Sequence, residues 1–374
     1  MNLRRKLVPA LAVLAAVCTF GGVFTRAQET QGPIAPKPGV AIQKAPGSTI
    51  RVKVQSVNTP VTVRDSRNEL VLDLRKENFH VTDNGVNQTI DSFDLGGEPL
   101  SVVLLLESSS RVAALLPAVR KSAIVFTQTV IGPSGVAAVM GYDNGIQRLQ
   151  PFTTNHDWIE KAITTLKTGN SGAKLYDAMS NAVGLLRGQS AQRRRVLIVV
   201  GEAQDTGSEE ALGEVLRQAQ LANIVIYSVG LSSAAAAFRS DQRPSAPHSA
   251  TPPGTFGAPP SPGTAQTPTS EEQKAGNIDL TALAEWAVRN AKAVVKDRPL
   301  EVATTATGGM YQSTFRDRTI ETAIDAIGGE LNAQYTLSYQ PAKSGDPGYH
   351  RIKVTVDRAG VNVRTRPGYY LEGN

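Results

Sequence analysis

Three uninterrupted apolar runs constrain this chain more than any other feature: "SVVLLLE" (101–107), "RRVLIVVGE" (194–202) and "NIVIYSVGL" (223–231). None alternates apolar with polar residues. A strand that is apolar on both sides must be covered on both faces, which is the situation of a central strand in a parallel sheet. The segments between and after the runs supply the cover. "RVAALLPAVRKSAIVFTQTVI", "HDWIEKAITTL", "KLYDAMSNAVGLLRG", "SEEALGEVLRQAQLA" and "IDLTALAEWAVRNAKAVV" have the spacing of amphipathic helices. "GVAAVMGY" and "GIQRLQPF" read as further strands, and "PLEVATTATGGMYQS" as a helix, a glycine stop and a short edge strand. Strands alternating with helices predict a Rossmann-like α/β fold: a doubly wound, mostly parallel sheet.

The flanks follow a different rule. "IRVKVQSV" and "TPVTVRD" alternate with period two, and Asp83-Asn84-Gly85 separates two further strand-like runs. Asn-Gly supplies the positive φ angles of a tight hairpin. The C-terminus returns to β pattern in "YTLSYQP", "YHRIKVTV" and "VNVRTRPGYY", three expected strands. Neither flank has enough strands to stand alone. We therefore expect both to join in one small β-sandwich, with the α/β unit inserted between them. The expected organisation is a signal peptide (1–27), a flexible leader (28–48), an N-terminal sandwich segment (49–98), the α/β domain (99–331) and a C-terminal sandwich segment (332–374). Within the α/β domain, 240–276 is rich in Pro, Ser, Thr and Gly and is expected to be a disordered linker.

The first 27 residues carry Arg4, Arg5 and Lys6, then an apolar stretch, then a small residue for cleavage. That is the layout of a secretory signal peptide, with an uncleaved anchor as the rival reading. Cleavage removes four cations, so the formal charge falls from +6 to +2. The basic balance is then a targeting feature and does not point to nucleic acid. Cleavage also removes Cys18, the one cysteine, which excludes disulfides and thiolate metal sites in the mature chain. The expected location is the periplasm or the extracellular medium, with no transmembrane segment after cleavage.

An open parallel sheet binds ligands beyond the carboxyl ends of its strands, where the strand order reverses. Three segments end there: Glu107–Arg111 after the first run, the loop of "KTGNSGAKLYDA", and Gly201–Asp205 after "VLIVV". With these landmarks in order, and "TGGMYQ" near the end, residues 99–331 resemble the von Willebrand factor type A domain family. The flanking β segments and the ending "VRTRPGYY" resemble a bacterial exported subfamily carrying that domain.

The resemblance implies a protein-binding or adhesion module. In many members a metal-ion-dependent adhesion site sits on this rim: Asp-x-Ser-x-Ser after the first strand, a Thr before the third helix, and an Asp after the fourth strand. Mg²⁺ wants six oxygens in octahedral geometry, which short hydroxyls, carboxylates and water provide. Carried over position by position, Glu107 stands for the first Asp and Ser109 matches the first Ser. Arg111 replaces the second Ser, Ala173 takes the Thr place and Glu202 replaces the last Asp. Asp205 lies farther along, where members commonly have an acidic residue. The rim expected to meet a partner is Glu107, Ser109, Ser110, Arg111, Ser171, Ala173, Glu202 and Asp205.

Each glutamate adds a methylene, Ala173 has no ligand atom, and an always-charged guanidinium repels a cation. Three arrangements compete. Arg111 bridges Glu107 and Glu202 in place of the metal; Arg111 points into solvent at a helix start; or a metal site survives. Ser108–Ser110 also read as helix caps. No cofactor is expected, Mg²⁺ being the one ion the pattern could take.

Enzyme signatures are missing. There is no Gly-x-Ser-x-Gly elbow, no His-Glu-x-x-His run and no Gly-Lys-Ser/Thr phosphate loop. His80, His156 and His350 fall in expected surface strands or loops, and Arg193-Arg194-Arg195 in an expected solvated turn. The expectation is an exported, non-enzymatic binding module with a degenerate metal site, acting on a protein or cell-surface ligand and not on nucleic acid. The alternatives are Mg²⁺-dependent adhesion, an enzyme of unrecognised site, or a structural assembly module.

Overall fold

A computed structural model describes residues 56–231, 279–296, 298–314, 319–341 and 347–371. The signal peptide, the leader, the "IRVKVQ" strand and the 240–276 linker lie outside the described residues.

The continuous apolar runs become the middle of a six-stranded sheet. Its strands are β5 (Leu100–Glu107), β6 (Val136–Tyr142), β7 (Ile146–Thr153), β8 (Arg194–Gly201), β9 (Ile224–Gly230) and β10 (Tyr311–Ser313), in the order β10-β9-β8-β5-β6-β7. All pairs are parallel except β6–β7, a hairpin that places the half-exposed β7 at one edge. Every residue of β5 is buried, as two-sided cover requires. One face packs α4 (Leu175–Arg187), α5 (Leu212–Leu221), α6 (Leu280–Arg289) and α7 (Pro299–Thr307). The other packs α1 (Leu116–Lys121), α2 (Ala123–Val125), a π-helix (Phe126–Ile131), α3 (His156–Thr164) and α8 (Ile320–Ala333). The single helix expected over 111–131 is thus broken: Pro117 sits in the first turn of α1, and the i→i+4 ladder widens to π at Phe126. Gly308, at φ +82°, stops α7 in the left-handed conformation, as "TGG" predicts.

The flanks form two four-stranded antiparallel sheets. One has the order β13-β1-β11-β4, from β1 (Val57–Arg64), β4 (Ile90–Leu95), β11 (Tyr335–Tyr339) and β13 (Asn362–Thr365). The other has the order β14-β12-β2-β3, from β2 (Phe79–Asp83), β3 (Val86–Gln88), β12 (Gly348–Val356) and β14 (Gly368–Leu371). Each sheet mixes N- and C-terminal strands around one shared apolar core that includes Val61, Phe79, Tyr335 and Val354. Asn84 and Gly85, at φ +47° and +80°, turn β2 into β3. The C-terminal flank has four strands rather than three. "VNVRTRPGYY" splits at Arg366-Pro367, and the two halves join different sheets.

Two expectations about charged residues are corrected. Arg193, Arg194 and Arg195 are not a solvated turn. Their guanidinium groups donate to carbonyls of Leu100, Ser134, Leu331, Ala222 and Gln189, and so tie the start of β8 to its surroundings. His350 is not a surface residue. It is buried in the sandwich, with Nδ1 2.9 Å from Asp83 Oδ1, while Tyr339 and Tyr369 donate their hydroxyls to Asp83 Oδ2.

Candidate functional site

In the six-stranded sheet, β5 is followed on one side by β6 and on the other by β8, so the strand order reverses at β5. The loops after β5 and β8 leave the carboxyl ends at that point, the loop between α3 and α4 meets them, and backbone bonds lace the three together. Ser108 N–H donates to Tyr142 O, Gly169 N–H to Ser108 O and Ser110 N–H to Asn170 O, all at 2.7–2.8 Å. Thr206 N–H donates to Ala173 O at 2.8 Å, which brings in the loop after β8. The sequence-predicted segments therefore meet over one crevice.

Glu107 is the centre of the arrangement and is 1 % exposed. Its Oε1 accepts from Ser109 Oγ at 2.5 Å, and its Oε2 from the Glu202 backbone N–H at 2.6 Å. Arg111 places Nη2 3.4 Å from Glu107 Oε1 and Nε 3.3 Å from Glu202 Oε2. The first approach is a hydrogen bond; the second is an ion-pair contact without hydrogen-bond alignment. Burial raises the Glu107 pKa above its ordinary value, against the lowering pull of the Ser109 hydroxyl, the Glu202 amide and the Arg111 charge. Gly201 makes the seat possible. A Cβ there would meet the Tyr142 hydroxyl at 2.3 Å and Glu107 Oε2 at 2.8 Å.

The serines do not cap. Ser108 Oγ donates to Tyr142 O, Ser109 Oγ turns to Glu107, and Ser109 at the start of the 3₁₀ turn Ser110–Val112 makes no cap bond. At the start of α4, Ser208 Oγ accepts from the Tyr176 and Asp177 N–H groups at 3.1 Å, and Asp205 assists it. Asp205 Oδ1 accepts from Tyr176 N–H at 3.2 Å and from Ser208 Oγ at 2.6 Å, which pins the loop after β8 to the first turn of α4.

Of the eight residues expected on the rim, Glu107, Ser109, Ala173 and Glu202 are buried and form its floor. They lie beneath the loops and not at the rim's outer edge, Glu107 being held inward by the Ser109 hydroxyl and the Glu202 amide. Arg111 and Asp205 are half-buried, and Ser110 and Ser171 are exposed. Sequence reading missed Asp143, which is buried and builds the second loop. It accepts from Gly145 N–H on one oxygen and from Asn170 N–H and Nδ2 on the other. The signal was present in "YDNG", an acid in a glycine turn at the end of β6.

The family's metal can be tested against these donors. Both Glu107 oxygens and the Ser109 hydroxyl are engaged with one another and with the Glu202 amide, Ala173 offers no donor, and a guanidinium lies between the carboxylates. Among the described residues no group of three or more His, Cys, Asp or Glu side chains is placed to hold a metal ion. As arranged, the residues do not fit an octahedral Mg²⁺.

A doubly wound sheet with three loops joined over its switch point defines the class. Residues 101–242 match the family model of the von Willebrand factor type A domain. The α/β portion of this chain has the fold of that domain, a protein-interaction module. No curated protein sequence matches the chain. Among solved structures, an aerotolerance-related membrane protein from Bacteroides fragilis is 12% identical, with a TM-score of 0.39, over 62% of this chain and 98% of the other. BatB from Bacteroides thetaiotaomicron is 12% identical, with the same TM-score, over 62% and 97%. Proximal thread matrix protein 1 from the mussel byssus, solved with a zinc-occupied adhesion motif, is 11% identical at 0.41, over 67% and 49%.

Proposed function

We propose that this is an exported, non-enzymatic binding protein that recognises a protein or cell-surface ligand with the exposed edge of the rim and without a bridging metal. One observation carries the reading: Arg111 lies within ion-pair distance of both Glu107 and Glu202. The cation that joins the first and last loops is supplied by the chain itself. The loops are then ordered before any partner arrives, which lowers the entropic cost of association. Ser110, Ser171 and the outer face of Arg111 remain for contact, with Asn144 and Asn170 exposed beside them. Among the described residues no helix is long and apolar enough to cross a membrane. Export rests on the N-terminal layout of charge and hydrophobicity.

The test is capture from envelope extract by the immobilised full chain, with and without EDTA, alongside a Ser110→Arg/Ser171→Arg variant. The reading expects a partner retained in EDTA and lost from the variant. Capture abolished by EDTA would point instead to metal-dependent adhesion. Turnover of a hydrolase substrate, abolished by Glu107→Gln or Glu202→Gln, would contradict the non-enzymatic reading.

A further inference from the structure

Where β1 and β13 of the sandwich face β10 and α8 of the α/β domain, a cleft of about 510 Å³ opens between them. Sites for small molecules span roughly 300–1,000 Å³, so the cleft has the size of one. No aspartate or glutamate lines it, and two guanidinium groups do, those of Arg64 and Arg364. Their side chains are 25 % and 37 % exposed, so each presents surface that a ligand can touch.

Glu330 explains how two cations come to sit together. It belongs to α8, its side chain is fully buried, and it pairs with Arg64 through Oε2 and with Arg364 through Oε1. One carboxylate behind the wall thus orients two guanidinium groups and leaves one positive charge in excess. Arg64 Nη1 donates to the Asn68 carbonyl and Nη2 to Glu330; Arg364 Nη2 serves Glu330 and the Thr62 hydroxyl. Among the described residues Arg64 Nε and Arg364 Nη1 donate to nothing in the chain. Only part of the five-donor fork of each guanidinium is used.

The excess charge favours a monoanion, and a guanidinium fork matches a carboxylate in shape. The rest of the wall indicates what the carboxylate is attached to. Asn68 and Asn362 bring exposed carboxamides and Thr322 an exposed hydroxyl, groups that both donate and accept and so suit a hydroxyl-bearing body. Apolar side chains on the wall are limited to Met310 and Ala326, so a purely hydrocarbon acid would bury little against it.

We propose that this cleft binds a small hydroxylated carboxylate of the sugar-acid class. Arg364 and Arg64 take the carboxylate, and Asn68, Asn362 and Thr322 take the hydroxyl groups. Glu330 holds the two guanidinium groups in place before the ligand arrives, which lowers the ordering cost of binding. The cleft shares no residue with the rim, so the inference is independent of the function proposed for the rim.

The test is calorimetric titration of the full chain with D-gluconate and D-glucuronate, against D-glucose and against acetate at matched ionic strength, which separates site binding from screening. The expected result is saturable binding of one sugar acid per chain, no saturable heat with glucose, and weaker binding of acetate. Asn362→Asp changes an exposed side chain at the start of β13 and sets a carboxylate against that of the ligand. It should unfold in urea as the parent does and bind the sugar acid about tenfold or more weakly. Arg364→Met leaves Glu330 its pairing with Arg64 and should abolish binding; should that variant fail to fold, Asn362→Asp decides. No saturable heat with either sugar acid, acetate binding as tightly as they do, or an unchanged affinity in Asn362→Asp would each overturn the assignment.

Discussion

Arg111 reaches back four residues to Glu107, and neither group meets bulk solvent freely: the Arg111 side chain is 11 % exposed and that of Glu107 is 0 %. A pair this sheltered differs from a surface salt bridge in what its loss costs. Removing one partner strands the other charge in a poorly solvated place, at typically 3–5 kcal/mol. Arg111→Met should therefore destabilise the chain by about 3 kcal/mol, at the low end because the guanidinium keeps some exposure. Urea unfolding measures it, and Arg111→Lys should recover only a fraction, since an ammonium cannot reach both carboxylates with a planar fork.

The same variant carries a pH signature. Burial raises the Glu107 pKa above the ordinary 4.5, so the folded state holds that proton more tightly than the unfolded state. Such a group contributes stability that is present below the unfolded pKa and lost as pH rises through the folded value. Arg111 is one of the influences that limit the rise. In Arg111→Met the Glu107 pKa climbs further, so the deficit against the parent should be smallest below pH 4.5 and grow toward neutrality. A deficit that is constant with pH would show that the two charges are not coupled.

Gly201 lies under the site for a steric reason. Gly201→Ala puts a methyl group 2.3 Å from the Tyr142 hydroxyl and 2.8 Å from Glu107 Oε2. Overpacking of this kind costs about 1–3 kcal/mol. The expected outcome is that loss in the unfolding midpoint, together with weakened protection of the Glu202 amide in hydrogen exchange, because Glu107 must leave it.

Asp205 holds the loop after β8 to α4. Asp205→Ala should cost about 1 kcal/mol, the usual worth of a helix N-terminal acceptor. Faster amide exchange at Tyr176, with the sandwich unaffected, is the local readout.

How far these features were legible in the sequence depends on the range of the interaction behind them. The runs 101–107, 194–202 and 223–231 announced buried strands because cover on both faces is written into each strand. Asn84-Gly85 announced its hairpin because a two-residue turn depends only on its own φ angles. The crevice followed from topology, since the loops after β5 and β8 must flank the switch point. What stayed hidden depends on partners far along the chain. Arg193–Arg195 read as a solvated turn because the carbonyls they bind belong to residues 6–137 positions away. His350 read as a surface residue because Asp83, its partner, is 267 residues distant. Short-range spacing pointed to serine caps, but the hydroxyls found a stronger acceptor in Glu107 and a strand carbonyl across the crevice.

In the proposed reading the Arg111 guanidinium stands where the family's metal would be. Calorimetric titration of Mg²⁺ into the full-length chain tests that most directly. The predicted result is no saturable heat, with or without prior EDTA treatment. Saturable binding of one ion per chain, abolished by Ser109→Ala, would contradict it.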